Sequence, residues 1–327
     1  MRIAVTGSIA TDHLMVFPGR FADQLIPDQL AHVSLSFLVD ELEVRRGGVA
    51  ANIAFGLGSL GLTPLLVGAV GSDFAEYEVW LNEHGVDTGA VRVSATRQTA
   101  RFMCITDQDS NQIASFYAGA MAEAADIGIG NLSTSQTRPD LVLVSPNDPA
   151  AMLRHTTECR ELGIPFAADP SQQLARLEQG EVRDLVDGAE WLFTNEYEAA
   201  LLLERTGWTR EKVLALVGTW VTTLGEAGVR IDRAGQPPLT VPGVADTPVV
   251  DPTGIGDAFR AGFLAAHSRQ LPLVPAARLG CTVASLALAT VGSQSYRADP
   301  AQLLATVEKA YGTDAAKPLV PWLGGRS

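Results

Sequence analysis

The sequence predicts an α/β protein: a mostly parallel sheet flanked by helices and carrying a small β-sheet lid. Three observations predict it. Short, continuous apolar runs alternate with stretches of helical period along nearly the whole chain, the mark of strands buried on both faces and joined by helical crossovers. Of the 327 residues, 46% are hydrophobic but only 6% aromatic, so the core must be aliphatic and rich in alanine. That suits helix-covered parallel strands better than a β-sandwich. Two segments, 13–47 and 91–118, break the rhythm with alternating patterns punctuated by Pro and Gly.

Taken in order, strands are expected at 3–6, 65–70, 141–145, 165–169, 191–194 and 220–224, each an unbroken apolar run ending at a polar residue or glycine. Helices are expected over 50–60, 74–84, 148–162, 196–205, 256–269 and 275–291. This β-α alternation places helices on both faces and functional groups at the carboxyl ends of the strands. Residues 99–106 and 112–116 read as antiparallel strands joined by the polar turn 107–111. With 13–47 they are expected to form the lid on a single domain spanning 1–327. Pro237-Pro238 reads as a hairpin loop.

Composition excludes several classes. The net charge is −13 and the pI near 4.8, so nucleic-acid phosphates and anionic membranes are repelled. The three cysteines, Cys104, Cys159 and Cys281, are far apart and fit reduced thiols in a cytoplasmic protein, not a disulfide framework or zinc site. The five histidines form no H-x-x-x-H pair. The N-terminus runs into a strand pattern without a signal-peptide core, and no apolar run reaches membrane-spanning length.

The most informative stretch is 251–263, Asp-Pro-Thr-Gly-Ile-Gly-Asp-Ala-Phe-Arg-Ala-Gly-Phe. Small residues let the backbone N–H groups of Gly254, Ile255, Gly256 and Asp257 converge, and the following helix adds its positive dipole end. That is an anion hole. A carboxylate at its lip repels anions, so Asp257 must offer something else: a base beside a phosphoryl group in transfer. The blander reading is a helix-first-turn Asp favoured by the dipole.

Gly56-Leu57-Gly58-Ser59-Leu60-Gly61 spells a dinucleotide fingerprint, but its glycines end a helix instead of opening one, so the fingerprint is rejected. No Walker A pattern is present. The pair Gly47-Gly48 opens a helix whose first turn carries Asn52, suited to sugar hydroxyls, with Asp12 expected nearby. Asn195 and Glu198, three apart, share one face of a first helical turn. They fit a hydrated Mg²⁺ or a reciprocal capping box. Thr223, Gly225 and Gly228 end another strand with room for a nucleotide.

These four motifs, in this order and spacing, resemble the PfkB family of ribokinase-like sugar kinases over nearly the whole chain. Within it, Ser8, Asp12, Ser36, Phe102, Phe116 and the run Asp169-Pro170-Ser171-Gln172-Gln173 are similar to bacterial adenosine kinases. The D-x-N-x-R pattern of fructokinases and phosphosugar kinases is absent, with neutral amides from Gln172 and Gln173 in place of a phosphate-holding Arg.

The resemblance implies transfer of the ATP γ-phosphoryl group to the 5′-hydroxyl of adenosine, with Asp257 as base and the 254–257 backbone as anion hole. It implies substrate contacts from Ser8, Asp12, Ser36, Gly48, Asn52, Phe102, Phe116, Gln172 and Gln173, and nucleotide contacts from Asn195, Thr223, Gly225, Gly228 and Gly256. Mg²⁺ falls to Asn195 and Glu198, and a K⁺-type monovalent cation to Asp251 and Thr253. The alternatives are a kinase of a free sugar such as ribose or fructose, and a catalytically silent binding regulator. Apolar residues expected on both faces of the lid (Leu35, Phe37, Leu42, Phe102, Ile105, Ile113) suggest a homodimer paired through it.

Overall fold

A computed structural model describes residues 1–25, 34–132 and 138–325. The main sheet draws its strands from residues 3–241. Those expected are β1 (Ile3–Thr6), β4 (Leu65–Val70), β8 (Leu141–Val144), β9 (Phe166–Ala168), β10 (Trp191–Asn195) and β11 (Thr219–Thr223). β5 (Asp87–Val93) and the hairpin of β12 (Val229–Asp232) and β13 (Leu239–Val241) complete it. A second sheet holds β2 (Ala10–Val16), β3 (Glu41–Gly47), β6 (Ala100–Thr106) and β7 (Gln112–Tyr117). Strand order in the main sheet is β13-β12-β11-β10-β9-β8-β1-β4-β5, parallel except for the β12–β13 hairpin.

Side-chain alternation divides the main sheet between two cores. Leu66 and Val70 of β4, with Leu141 and Leu143 of β8, face one layer; Leu65, Val67, Val142 and Val144 face the other. Following the short turn α1 (Phe21–Gln24), the first layer holds α2 (Val49–Ser59) and α3 (Ala75–Glu83). On the opposite face pack α4 (Pro149–Glu161), α5 (Gln179–Val186), α6 (Glu196–Thr206) and α7 (Arg210–Leu216). α8 (Ile255–Ser268), α9 (Leu273–Leu288) and α10 (Pro300–Tyr311), with the short α11 (Thr313–Ala316) and α12 (Val320–Leu323), return to the first layer. The glycines at 56, 58 and 61 close α2, as expected; a Cβ on Gly58 would meet the His84 carbonyl oxygen at 2.0 Å.

The small sheet runs β3-β2-β6-β7, and three corrections apply to its expected make-up. Residues 91–93 end β5 in the main sheet instead of belonging to the lid, because they pair with β4. β2 begins at Ala10, before the expected boundary. Of the alternating segment 13–47, residues 26–33 lie outside the described chain, and after them only the part from Glu41 pairs as a strand.

Register sorts the lid faces. Arg45, Asp12, Phe102 and Phe116 lie directly across from one another on successive strands and so share one face. Leu42, Met15, Ile105 and Ile113 form a parallel row on the other face. Phe37 belongs to neither row; it packs edge-on against Phe17 and Phe21, ring centroids 5.0 Å from each.

Candidate active site

The site forms where the lid meets the carboxyl ends of the strands. Gly48 caps α2 with φ +92°, and a Cβ there would lie 2.6 Å from the Ser8 carbonyl oxygen and the Ala10 amide nitrogen. Only glycine fits this left-handed, crowded position. The turn delivers Asn52 into the interior. Its Oδ1 accepts hydrogen bonds from Ser293 Oγ and Gln294 Nε2, both at 2.9 Å, and its Nδ2 donates to Asp257 Oδ2 at 2.8 Å. The buried Ser8 Oγ accepts from the Val49 amide at 3.0 Å, fixing the start of the same helix.

Asp257 lies in the first turn of α8, behind Gly254, which adopts the left-handed conformation at φ +76°. Burial pushes the Asp257 carboxyl up to about 7, against the pull of the Asn52 hydrogen bond and the nearby Arg260. A carboxylate raised toward neutrality fits a general base better than one at its ordinary value. Gly254, Ile255, Gly256 and Asp257 border a cleft of about 1190 Å³, which Asn195, Glu198, Thr223, Gly225 and Gly228 also line. Three motifs distant in sequence, at 195–198, 223–228 and 254–257, thus line one cavity.

The capping reading of Asn195 and Glu198 is realised. Asn195 Oδ1 accepts from the Glu198 amide, and Glu198 Oε2 from the Asn195 amide, both at 2.7 Å. Glu198 Oε1 accepts from Ser171 Oγ at 3.1 Å. Direct metal ligation competes with these bonds, but a Mg²⁺ that keeps its waters and rests on phosphate oxygens fits a carboxylate bordering the cleft. No cluster of three metal-ligating side chains occurs among the described residues.

On the lid side, Asp12 is half-buried, its carboxylate against Gly47, where a Cβ would lie 2.8 Å away. Burial raises its pKa and Arg45 opposes the rise. Phe102 is half-buried, and Phe116 is 50% exposed at the end of the row that holds Asp12. Ser36 and Gln172 lie at the surface. Gln173 is buried and its Nε2 donates to the Asn147 carbonyl at 2.8 Å.

Asp251 and Thr253 do not fit the monovalent cation that the resemblance implied. Asp251 Oδ1 accepts from the Thr253 amide and Oδ2 from the Gly292 amide, both at 2.9 Å, while Arg45 Nη1 sits 3.0 Å from Oδ2. Burial alone would raise this carboxyl, but the two backbone bonds and Arg45 carry it below its ordinary value. Arg45, also bound to Glu43 at 2.6 Å, therefore places a guanidinium where the cation was expected. The cause is a lid strand crossing Gly292, whose Cβ position is 3.7 Å from Arg45 Cδ.

Sequence reasoning missed Arg45, Tyr77, Ser293, Gln294 and the buried pair Asp169–Arg260, joined at 2.6 Å. A signal existed for Arg260, three residues after Asp257 on one helical face. Tyr77 hydrogen-bonds to the Gly47 carbonyl at 2.9 Å, and nothing local in its helix marks it.

A glycine-opened helix N-terminus carrying a raised-pKa carboxyl, at the strand ends of a lidded, mostly parallel sheet, is the arrangement a phosphoryl-transfer site needs. The chain belongs to the pfkB family of carbohydrate kinases, whose pattern matches residues 9–299. It adopts the ribokinase fold. A Burkholderia thailandensis nucleoside kinase solved in complex with inosine superposes with TM-score 0.82 at 33% identity, covering 95% of this chain and 98% of that one. A nucleoside kinase of Methanothermobacter thermautotrophicus is 29% identical over 279 residues, 82% of this chain and 86% of the relative. A cytidine kinase of Thermococcus kodakarensis is 27% identical over 261 residues, 77% and 91% of the two chains.

Proposed function

We propose that this protein transfers the γ-phosphoryl group of ATP to the 5′-hydroxyl of a nucleoside, with adenosine the preferred acceptor. The observation carrying the reading is the Asn52–Asp257 hydrogen bond, which joins a sugar-side helix to the base at the anion hole. A hydroxyl held at Asn52 and Asp12 then stands beside Asp257. The hydroxyl proton passes to Asp257 as its oxygen attacks the γ-phosphorus, and the 254–257 amides receive the phosphoryl oxygens. Thr223, Gly225 and Gly228 pass the nucleotide along the cleft. Asn195 and Glu198 would orient the waters of a Mg²⁺, which would supply neutralisation of the phosphate charge. The monovalent cation is left out of this reading because Arg45 already sits on Asp251.

A nucleoside is favoured over ribose or fructose by the row Asp12–Phe102–Phe116. It sets two aromatic faces beyond a sugar-binding carboxylate, where a flat base needs them. The inosine complex and the cytidine kinase among the relatives support a nucleoside while leaving the base open. The test is kcat/KM for adenosine, inosine, cytidine, ribose and fructose with Mg-ATP. Preference for either free sugar would overturn the nucleoside reading, and preference for another nucleoside would overturn adenosine alone.

Two further features belong to the same proposal. A cytoplasmic location agrees with three buried, unpaired cysteines, and no helix among the described residues is long and apolar enough to cross a membrane. A homodimer through the lid would cover the outward row, in which Leu42 is 61% and Ile113 46% exposed. Light scattering of the wild type and of Leu42→Glu checks it: a monomeric wild type rejects the dimer.

A further inference from the structure

The cleft assigned above to a nucleoside triphosphate has the wrong charge for it. Its lining holds five carboxylates (Asp169, Glu198, Glu226, Asp246 and Asp257) and a single basic side chain, Arg260. A polyanion approaching those carboxylates needs positive charge at the point of reaction, beyond what Mg²⁺ supplies along the phosphate chain.

Arg260 is built for that point. It lies three residues after Asp257 on α8, so base and guanidinium share one face of the helix. Its side chain is 8% exposed, and Nη2 donates to Asp169 Oδ1 at 2.6 Å. Nε is buried with no partner. Nη1 stands only 2.8 Å from where a Cβ on Gly256 would be, against the backbone of the anion hole. Buried N–H donors are nearly always satisfied, and here the unused ones belong to a guanidinium that borders a phosphoryl site. The fructokinase pattern would place an arginine just after the strand that ends near Asp169; this chain has glutamines there. The arginine reaches Asp169 from α8 instead, 91 residues along the chain.

We infer that Arg260 is a catalytic residue that donates hydrogen bonds to the transferring phosphoryl group, with Asp169 as the positioning residue that aims it. The inference rests on the phosphoryl-transfer reading above. In the step, the bond from the γ-phosphorus to the bridging oxygen breaks, and ADP keeps that oxygen with its electron pair. The bond from the γ-phosphorus to the acceptor oxygen forms, the hydroxyl proton goes to Asp257 and then to water, and Arg260 stays protonated throughout.

The competing explanation is that Asp169–Arg260 only ties α8 to β9. Four variants separate the two: Arg260→Gln, Arg260→Lys, Asp169→Asn and Asp169→Asn/Arg260→Gln, each measured for Tm, kcat, nucleoside KM and the pH profile of kcat/KM. Loss of one preorganised donor to a developing charge typically lowers kcat by about 10²–10³. Arg260→Gln should show that loss with nucleoside KM within about three-fold, Arg260→Lys a smaller loss, and Asp169→Asn the smallest. The double variant removes both buried charges, so it should regain Tm lost by Arg260→Gln while kcat stays low. The acid limb of kcat/KM should also move to higher pH in Arg260→Gln, because the guanidinium favours ionised Asp257.

Recovery of kcat along with Tm in the double variant would reduce Arg260 to a structural role. So would a kcat for Arg260→Gln within about five-fold of the wild type. An inactive wild type, with no nucleoside monophosphate formed from ATP, would instead overturn the proposed function itself.

Discussion

Asn52 Nδ2 donates to Asp257 Oδ2 at 2.8 Å, across 205 residues of sequence. The direction of this bond is set by its surroundings. Ser293 Oγ and Gln294 Nε2 both donate to Asn52 Oδ1, so the amide nitrogen is the end left for the carboxylate. One side chain thereby ties the first turn of α2 to the carboxyl in the first turn of α8.

Asp257→Asn should remove turnover without unfolding the protein. The amide is nearly isosteric, and loss of a positioned base costs about 10²–10⁴ in rate. Nucleoside affinity measured by calorimetry should stay within a few-fold. A folded variant with near-normal kcat would reject Asp257 as the base.

The pH dependence follows from the same carboxyl. With its pKa raised to about 7, Asp257 is mostly protonated below that pH and cannot accept a proton, so kcat/KM should rise with pH through about 7. Stability should move the opposite way. The folded state holds a proton that the unfolded chain releases near 3.8, so this group's contribution is full below 3.8 and is lost as pH rises through about 7. Asp257→Asn should therefore gain Tm relative to the wild type at pH 8 compared with pH 5. An equal difference at both pH values would show that the carboxyl is not raised.

Arg45 on Asp251 predicts a distinctive cation response. Mg²⁺ should be required outright, whereas K⁺ must compete with a guanidinium already 3.0 Å from the carboxylate. Arg45→Gln removes that charge. The ratio of kcat/KM in KCl to that in tetramethylammonium chloride should be larger in the variant than in the wild type. The same ratio in both would mean that Arg45 does not stand in for a cation.

Phe116→Ala tests the aromatic row. Base stacking on one ring is worth about 1–3 kcal/mol, so KM for adenosine should rise by roughly five-fold or more while KM for ATP changes little. Phe116 is half-exposed on β7, so the fold should tolerate the change. Equal effects on both substrates would place the base elsewhere.

Much was legible in the chain. The six expected strands of the main sheet and six principal helices appear within a few residues of their places, because continuous apolar runs and helical spacing are short-range signals. α5, α7 and α10 escaped notice. α7 buries Val213 alone and α10 buries Leu303 and Val307, which leaves little periodic apolar signal; α5 buries Val182, Leu185 and Val186 at helical spacing, but over only eight residues. The cap at Asn195 and Glu198 was readable because both partners lie three residues apart.

The sequence by itself determined the α/β class, the glycine turns at Gly48 and Gly254, and the helix start at 254–257 with Asp257 in its first turn. Each is announced by backbone conformation and short-range residue pattern, even where distant residues later crowd it. Only the tertiary structure decided what the site's side chains touch: Asn52 with Asp257, Arg45 with Asp251, Arg260 with Asp169, and Phe116 across from Phe102. The first three pairs are separated by 205, 206 and 91 residues. They meet because strand order and lid register bring distant segments to one edge, and local periodicity carries no record of that order. The charge of the site follows from it: burial raises Asp257 while the lid delivers Arg45 onto Asp251, an outcome set by packing and not by spacing along the chain.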